Sequence, residues 1–296
     1  MKKNITEEAL NIIRARKKKN QDAFRQKTAV LDTDEKYLLA EKKYTAAVIE
    51  NRKKEAYGEK IDKAKEEQAL KEVNAIKSKY GLAGVSVQFD CPLCKDEGYV
   101  DGKQCACLKT EISKLLLKGS GFEKLEDFDD ATSTAKHLTP LYKKMKEWCN
   151  VNSAKNLIYF SGPTGVGKTH LLRCMANEFI TNGKVVNIVT SLNMSIDFKT
   201  FSKNSDETLL QKYITPDVLF IDDLGTEPIF KNITVENLYL IINERKMRNR
   251  KTVITSNLEL DEISDRYDER LYSRIGDQKT SIYVILEGTD RREEKK

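Results

Sequence analysis

The ten residues SGPTGVGKTH, Ser161 to His170, carry the pattern G-x4-G-K-[ST] from Gly162 to Thr169. That spacing suits a loop between a strand and a helix. Glycines let successive backbone N–H groups converge on phosphate oxygens, and the positive end of the following helix favours the same negative charge. The neighbours agree: apolar LIYF (157–160) enters as a strand and amphipathic HLLRCMANEFI (170–180) leaves as a helix. Gly162, Pro163, Thr164, Gly165, Val166, Gly167, Lys168, Thr169 and His170 are therefore the expected nucleotide cradle. Lys168 is expected to reach the β- and γ-phosphates of ATP, and the Thr169 hydroxyl to coordinate Mg²⁺.

Working outward, DVLFIDDLGTE (217–227) reads as a buried strand ending in two carboxylates. In an open α/β sheet ligands bind at that end of the strands. Asp222 is the expected Mg²⁺ ligand, directly or through water, and Asp223 the residue that orients the attacking water; the plain alternative is an Asp pair capping the next turn. Asp is shorter than the Glu common at the second position, which predicts slow hydrolysis or help from a neighbour. TVITSNLEL (252–260) ends a β-rich run in Asn257, placed to sense the γ-phosphate. In DRYDERLYSRIG (265–276), Arg266, Arg270 and Arg274 recur every four residues and are expected on one helical face. They serve either as surface ion pairs or, for Arg274, as a finger completing a neighbouring subunit's site.

From about residue 155 onward, strand-like NLIYFS, KVVNIVT, DVLFIDD, KTVITSN and SIYVIL alternate with helical stretches 169–181, 191–213, 233–249 and 260–275. Alternation of this kind predicts an α/β fold with a parallel sheet covered by helices. The motifs GPTGVGKTHLL, VLFIDDLGTE, TVITSNL and ERLYSRI, in this order over roughly residues 155–285, resemble the AAA+ ATPases, specifically the bacterial helicase loaders of DnaC and DnaI type. The resemblance implies a nucleotide held between self-associating subunits and a finger arginine at Arg274. It also implies loading of a hexameric replicative DNA helicase onto single-stranded DNA. The short remainder after SIYVILEG leaves no room for the helical lid most AAA+ proteins carry, and the loader group is similar in lacking it. Transposition helpers of IstB type share nearly the same core and are the rival reading. A small-molecule phosphotransferase needs an acceptor pocket and usually a lid, and neither is evident.

Residues 1–80 contain no proline and one glycine, Gly58, and hold 21 Lys and Arg against 14 Asp and Glu; the rest of the chain holds 31 against 32. The positive excess therefore sits in this part, which reads as two or three amphipathic helices with a break near LDTDE (31–35). It is either a solvated helical surface or an arm that docks on a partner. Next, Cys91, Cys94, Cys105 and Cys107 place four thiols within 17 residues. Such a cluster favours tetrahedral Zn²⁺ in a reducing compartment. The second pair is C-x-C rather than C-x2-C, which leaves one of Cys105 and Cys107 open as a ligand, and reduced unligated thiols remain the alternative. Cys149 and Cys174 stand apart as expected buried thiols.

The resulting division is a helical docking arm over 1–80, a zinc-binding module over 81–120, a linker over 121–154 and a lidless AAA+ ATPase domain over 155–296. FEKLEDFDD (122–130) resembles the family segment that packs near adenine. Phe198, Lys199, Phe201 and Lys203 offer rings and charge to single-stranded DNA, or simply pack. Arg291 and Arg292 lie in a charged tail. No apolar run approaches the ~18 residues of a membrane span, and no signal peptide is legible, so the expected location is the cytoplasm.

Overall fold

The computed structural model describes residues 5–129, 138–204 and 208–288. The chain forms two compact units, one of residues 11–97 and one of 98–296 together with 1–10. Arg291 and Arg292 lie outside the described residues. Among the described residues no helix is long and apolar enough to cross a membrane.

Helices α1 (Ile5–Thr28), α2 (Glu35–Ala56) and α3 (Lys63–Lys79) account for most of the first unit. Helix α2 starts where Asp34 accepts the N–H groups of Lys36 at 2.8 Å and Tyr37 at 3.0 Å, a standard carboxylate cap. The Tyr80 hydroxyl, just beyond α3, donates to the same Asp34 at 2.8 Å. At the other end Asn51, buried in α2, donates to the Asp62 carbonyl at 3.0 Å and accepts the Asp62 N–H at 3.0 Å. These two staples fix α2 and α3 as an antiparallel hairpin around a small core of Leu31, Tyr37, Ala40, Val73 and Leu82.

The second unit opens with a short hairpin, β1 (Tyr99–Val100) and β2 (Lys103–Gln104), turned at Asp101–Gly102. There follow α4 (Ala106–Leu117), α5 (Thr139–Asn150), β3 (Leu157–Ser161), α6 (Lys168–Thr181), β4 (Val186–Thr190), α7 (Ser191–Asn204) and α8 (Thr208–Ile214). The chain continues through β5 (Val218–Leu224), α9 (Thr234–Met247), β6 (Lys251–Ser256), α10 (Glu262–Arg266), α11 (Glu269–Ile275) and β7 (Ser281–Ile285). The five long strands pair in parallel in the order β4-β5-β6-β3-β7, as the alternation of patterns predicts. Their side chains alternate between two cores. Ile158, Phe160, Phe220 and Val253 meet α5 and α6, while Leu157, Tyr159, Leu219 and Ile254 meet α7, α9 and α11. After β3 the chain crosses to the far edge at β4, and after β6 it crosses back to the other side of β3. A crevice opens at such a switch point, at the C-terminal ends of the strands.

Two expectations are corrected, and for Phe198 one of the two open alternatives is decided. Arg266, Arg270 and Arg274 do not share one helical face: α10 ends at Arg266, Tyr267 leaves helical geometry at φ −118°, ψ −94°, and Asp268 starts α11 by accepting the Leu271 N–H at 2.8 Å. Asp268 is a better cap than an interior helical residue, so the chain breaks there. Phe198 is fully buried, edge-on to Tyr213 at 6.2 Å, and belongs to the core; its ring offers no face to a nucleic acid. Within the stretch 121–154 the described residues are not a bare connection, since Phe122, Phe128, Tyr142, Met145 and Trp148 are buried in the same core as β3 and α6.

Candidate nucleotide site

The loop of residues 162–167 leaves β3 with Gly162 at φ 147°, Gly165 at φ 83° and Gly167 at φ 101°, backbone that residues with a Cβ rarely adopt. Gly162 is also sterically obligatory, because a Cβ there would collide with the Leu286 carbonyl oxygen just past β7. Lys168, buried at the start of α6, donates to the carbonyls of Gly162 at 2.6 Å and Pro163 at 2.8 Å and to Asn257 Oδ1 at 2.7 Å. The ammonium is thus fixed at the mouth of the loop, beside the residue that follows the neighbouring strand β6.

One strand further, Asp222 is 3% exposed. Its carboxylate accepts Thr255 Oγ1 at 2.6 Å and Thr169 Oγ1 at 3.0 Å. Burial raises its pKa above the usual carboxylate range; the Thr255 hydroxyl counteracts this, and the charge of Asp223 adds to it. Thr169 Oγ1 and the Asp222 carboxylate together form a hard-oxygen pair beside the phosphate loop, the donor chemistry Mg²⁺ prefers. Asp223 sits within a β-bulge. Register runs from Ile221 opposite Ile254 to Leu224 opposite Ser256, one extra residue on β5. Asp223 takes φ 57° and its N–H donates to Thr255 Oγ1 at 3.0 Å. The bulge therefore re-aims a carboxylate that a regular strand would turn to the opposite face.

Beside the loop, α6 holds the segment read as near adenine. Arg173 donates to the Gly121 carbonyl at 3.2 Å, Asn177 to Asp127 Oδ1 at 2.5 Å, and the Arg173 guanidinium lies 5.4 Å from the Phe122 ring centre. His170 faces Tyr142 with ring centres 6.3 Å apart. The three arginines have different fates. Arg266 donates to the Glu227 carbonyl at 2.7 Å, and Arg270 pairs with Asp268 at 2.7 Å. Arg274 lies over the Tyr239 ring at 5.8 Å, and no carboxylate pairs with it among the described residues.

Two residues were given no role of their own by sequence reasoning. Arg245, fully buried in α9, donates to the carbonyls of Tyr213 and Pro216 at 2.9 Å and of Lys251 at 2.5 Å, tying α8 to the starts of β5 and β6. Only its unusual place on an otherwise apolar helical face hinted at burial. Glu227 is buried beyond Asp223.

The four clustered cysteines also come together. Their sulfur atoms all lie within 4.8 Å of one another. A tetrahedron with metal–sulfur bonds of about 2.3 Å has edges of about 3.8 Å, so the donor set fits one tetrahedral ion. Cys91 N–H donates at 2.9 Å to the fully buried Asp96, which shapes the turn after Cys94. Cys149 and Cys174 are buried.

The profile of the IstB-like ATP binding protein family matches residues 108–281, more than half of the chain. The chain belongs to the IstB-like ATP-binding family. It is an ATPase with a parallel α/β fold, and the loop of residues 162–169 lies inside the matched range. The phage-like element PBSX protein XkdC of Bacillus subtilis is 29% identical over 231 residues, covering 68% of this chain and 84% of that protein. The chromosomal replication initiator protein DnaA of Campylobacter curvus is 35% identical over 120 residues, 40% of this chain but 27% of DnaA. The alignment thus spans about a quarter of DnaA. Among solved structures, the DnaC helicase loader is similar at 21% identity with a TM-score of 0.45, covering 50% of this chain and 89% of that one.

Proposed function

We propose that this ATPase loads a hexameric replicative DNA helicase onto single-stranded DNA, with ATP as the switch for assembly and release. The observation that carries the reading is the union of an IstB-like ATPase unit with a separate helical unit whose α2 leaves Leu38, Leu39 and Ile49 solvent-exposed. Leu38 and Ile49 are eleven residues apart, about three helical turns, and so share a face that suits a partner. The identity to a replication initiator over 120 residues supports the same reading.

In the working assembly Lys168 holds the β- and γ-phosphates, Thr169 and Asp222 hold Mg²⁺, Asp223 orients water and Asn257 senses the γ-phosphate. Arg274 of one subunit reaches the nucleotide of the next; among the described residues no carboxylate pairs with it, which leaves its charge available for that role. Cys91, Cys94, Cys105 and Cys107 hold one structural Zn²⁺, which orders a segment too small for its own core. Reduced thiols of this kind suit the cytoplasm. The family match also favours a second reading, a transposition helper, which would use the same ATP site with a transposase as partner.

The test is co-purification of the full chain with a hexameric replicative helicase, with and without ATP. Nucleotide-dependent capture is expected. Capture of a transposase instead, with no helicase retained under either condition, would sink the loader reading in favour of the second.

A further inference from the structure

The motif IDDLGTE contributes one residue that the ATP site itself does not use. Glu227 is 2% exposed, and among the described residues no lysine or arginine pairs with its carboxylate. A buried carboxylate is expensive unless its oxygens are satisfied. Here one oxygen accepts the Gly225 N–H at 2.9 Å and the other accepts the Tyr267 hydroxyl in a short hydrogen bond. The Glu227 carbonyl accepts Arg266 Nη2 at 2.7 Å.

Both ends of this contact lead to parts of the reaction. On one side lies the turn after β5. The Asp223 carbonyl accepts Ser191 Oγ at 2.7 Å and Thr226 Oγ1 at 2.9 Å, and Gly225 takes φ 106° with Leu258 packed against it. Gly225 is held by Glu227, so the carboxylate braces the turn that presents Asp223. On the other side, Tyr267 is the break between α10 and α11. Its backbone departs from helical geometry and Asp268 restarts the helix. Where Tyr267 sits fixes where α11 begins, and Arg274 lies about one and a half turns along α11.

We infer that Glu227 and Tyr267 latch the Asp223 turn to the helix carrying Arg274, which makes Glu227 a positioning residue for ATP hydrolysis. A shift of the turn at one nucleotide is thereby transmitted to the arginine offered to the next. The inference rests on Arg274 acting in a neighbouring subunit.

The test uses full chains in mixtures. Arg274→Ala supplies an intact phosphate site and Lys168→Ala an intact arginine, so mixing them restores hydrolysis at mixed interfaces. The second mixture replaces Lys168→Ala by the double variant Lys168→Ala/Tyr267→Phe, whose only contribution is its arginine. A misplacement of this kind typically costs up to about 10²-fold, so recovered kcat is expected to fall by about 10- to 100-fold with KM for ATP unchanged. Glu227→Gln, which keeps an acceptor for Tyr267, replaces Tyr267→Phe should the latter fail to fold by circular dichroism, and is expected to lower kcat less. Equal recovery in both mixtures, with all chains folded and co-assembled, overturns the latch. If the first mixture recovers nothing although the chains co-assemble, Arg274 does not act between subunits; that outcome overturns the finger reading first and the latch with it.

Discussion

At the scale of single residues, the nucleotide site divides into groups readable from spacing and groups readable only from contact. Lys168, Thr169 and Asp222 follow from the loop and the strand motif. Lys168→Ala removes the cation fixed by Gly162, Pro163 and Asn257. ATP hydrolysis measured by phosphate release is expected to fall ~10²–10³-fold, and wild-type turnover in that variant would refute the assignment. Asp222 carries a cost. Burial raises its folded pKa above the unfolded value, so folding disfavours the ionised form. Stability is therefore fullest below the ordinary carboxylate pKa and is lost as pH rises through the raised one. Asp222→Asn is expected to raise the melting temperature of nucleotide-free protein at neutral pH while abolishing hydrolysis. A lower melting temperature in that variant would show that the hydroxyl contacts from Thr255 and Thr169 outweigh the burial of charge. Glu227 was visible in the sequence only as part of a motif, because a carboxylate far from the loop has no spacing rule to reveal a tyrosine forty residues away.

At the scale of elements, the strands were the most legible part, since buried parallel strands read as short continuous apolar runs. The break between α10 and α11 was not. A four-residue repeat of arginines is as compatible with one helix as with two, and the decision lay with Asp268 capping α11 once Tyr267 was drawn to Glu227. The cysteine segment shows the reverse case, where spacing announced a cluster that geometry then drew together. Protein purified without chelator is expected to carry one Zn²⁺ per chain by elemental analysis. Cys91→Ser should lower that content and loosen residues 91–107 in hydrogen exchange. Purified wild-type protein that is folded and zinc-free would leave the thiols as simple reduced cysteines.

At the scale of the whole molecule, the boundary of the ATPase unit is set by packing. Helix α4 presses on β4, where the Val186 N–H donates to Ser113 Oγ at 2.9 Å. Trp148 of α5 stands edge-on to Phe179 at 5.9 Å, with Lys251 4.1 Å from its ring centre. A fragment starting at Asn152 would strip Tyr142, Met145 and Trp148 from the core, at several kcal/mol each by the usual large-to-small cost. It is expected to aggregate, whereas a fragment starting at Ala106 should fold and bind ATP while losing the proposed helicase contact. Retention of helicase by the Ala106 fragment at full strength would return the docking role to the ATPase unit. By itself the sequence determined the parallel α/β core, the phosphate loop with its Lys168 and Thr169, the position of Asp222 and the helical character of the basic N-terminal part. Each of these is written in local spacing: two-residue and 3.6-residue periodicity, glycines where backbone must approach phosphate, carboxylates at a strand end. Only the tertiary structure decided that Phe122, Phe128, Tyr142, Met145 and Trp148 belong to the core, that Phe198 is packing rather than contact, that among the described residues Arg270 pairs with a carboxylate while Arg266 and Arg274 do not, and that Glu227 joins the Asp223 turn to Tyr267. Those outcomes depend on pairs of side chains far apart in sequence, and which pairs meet is settled by how the helices seat on the sheet.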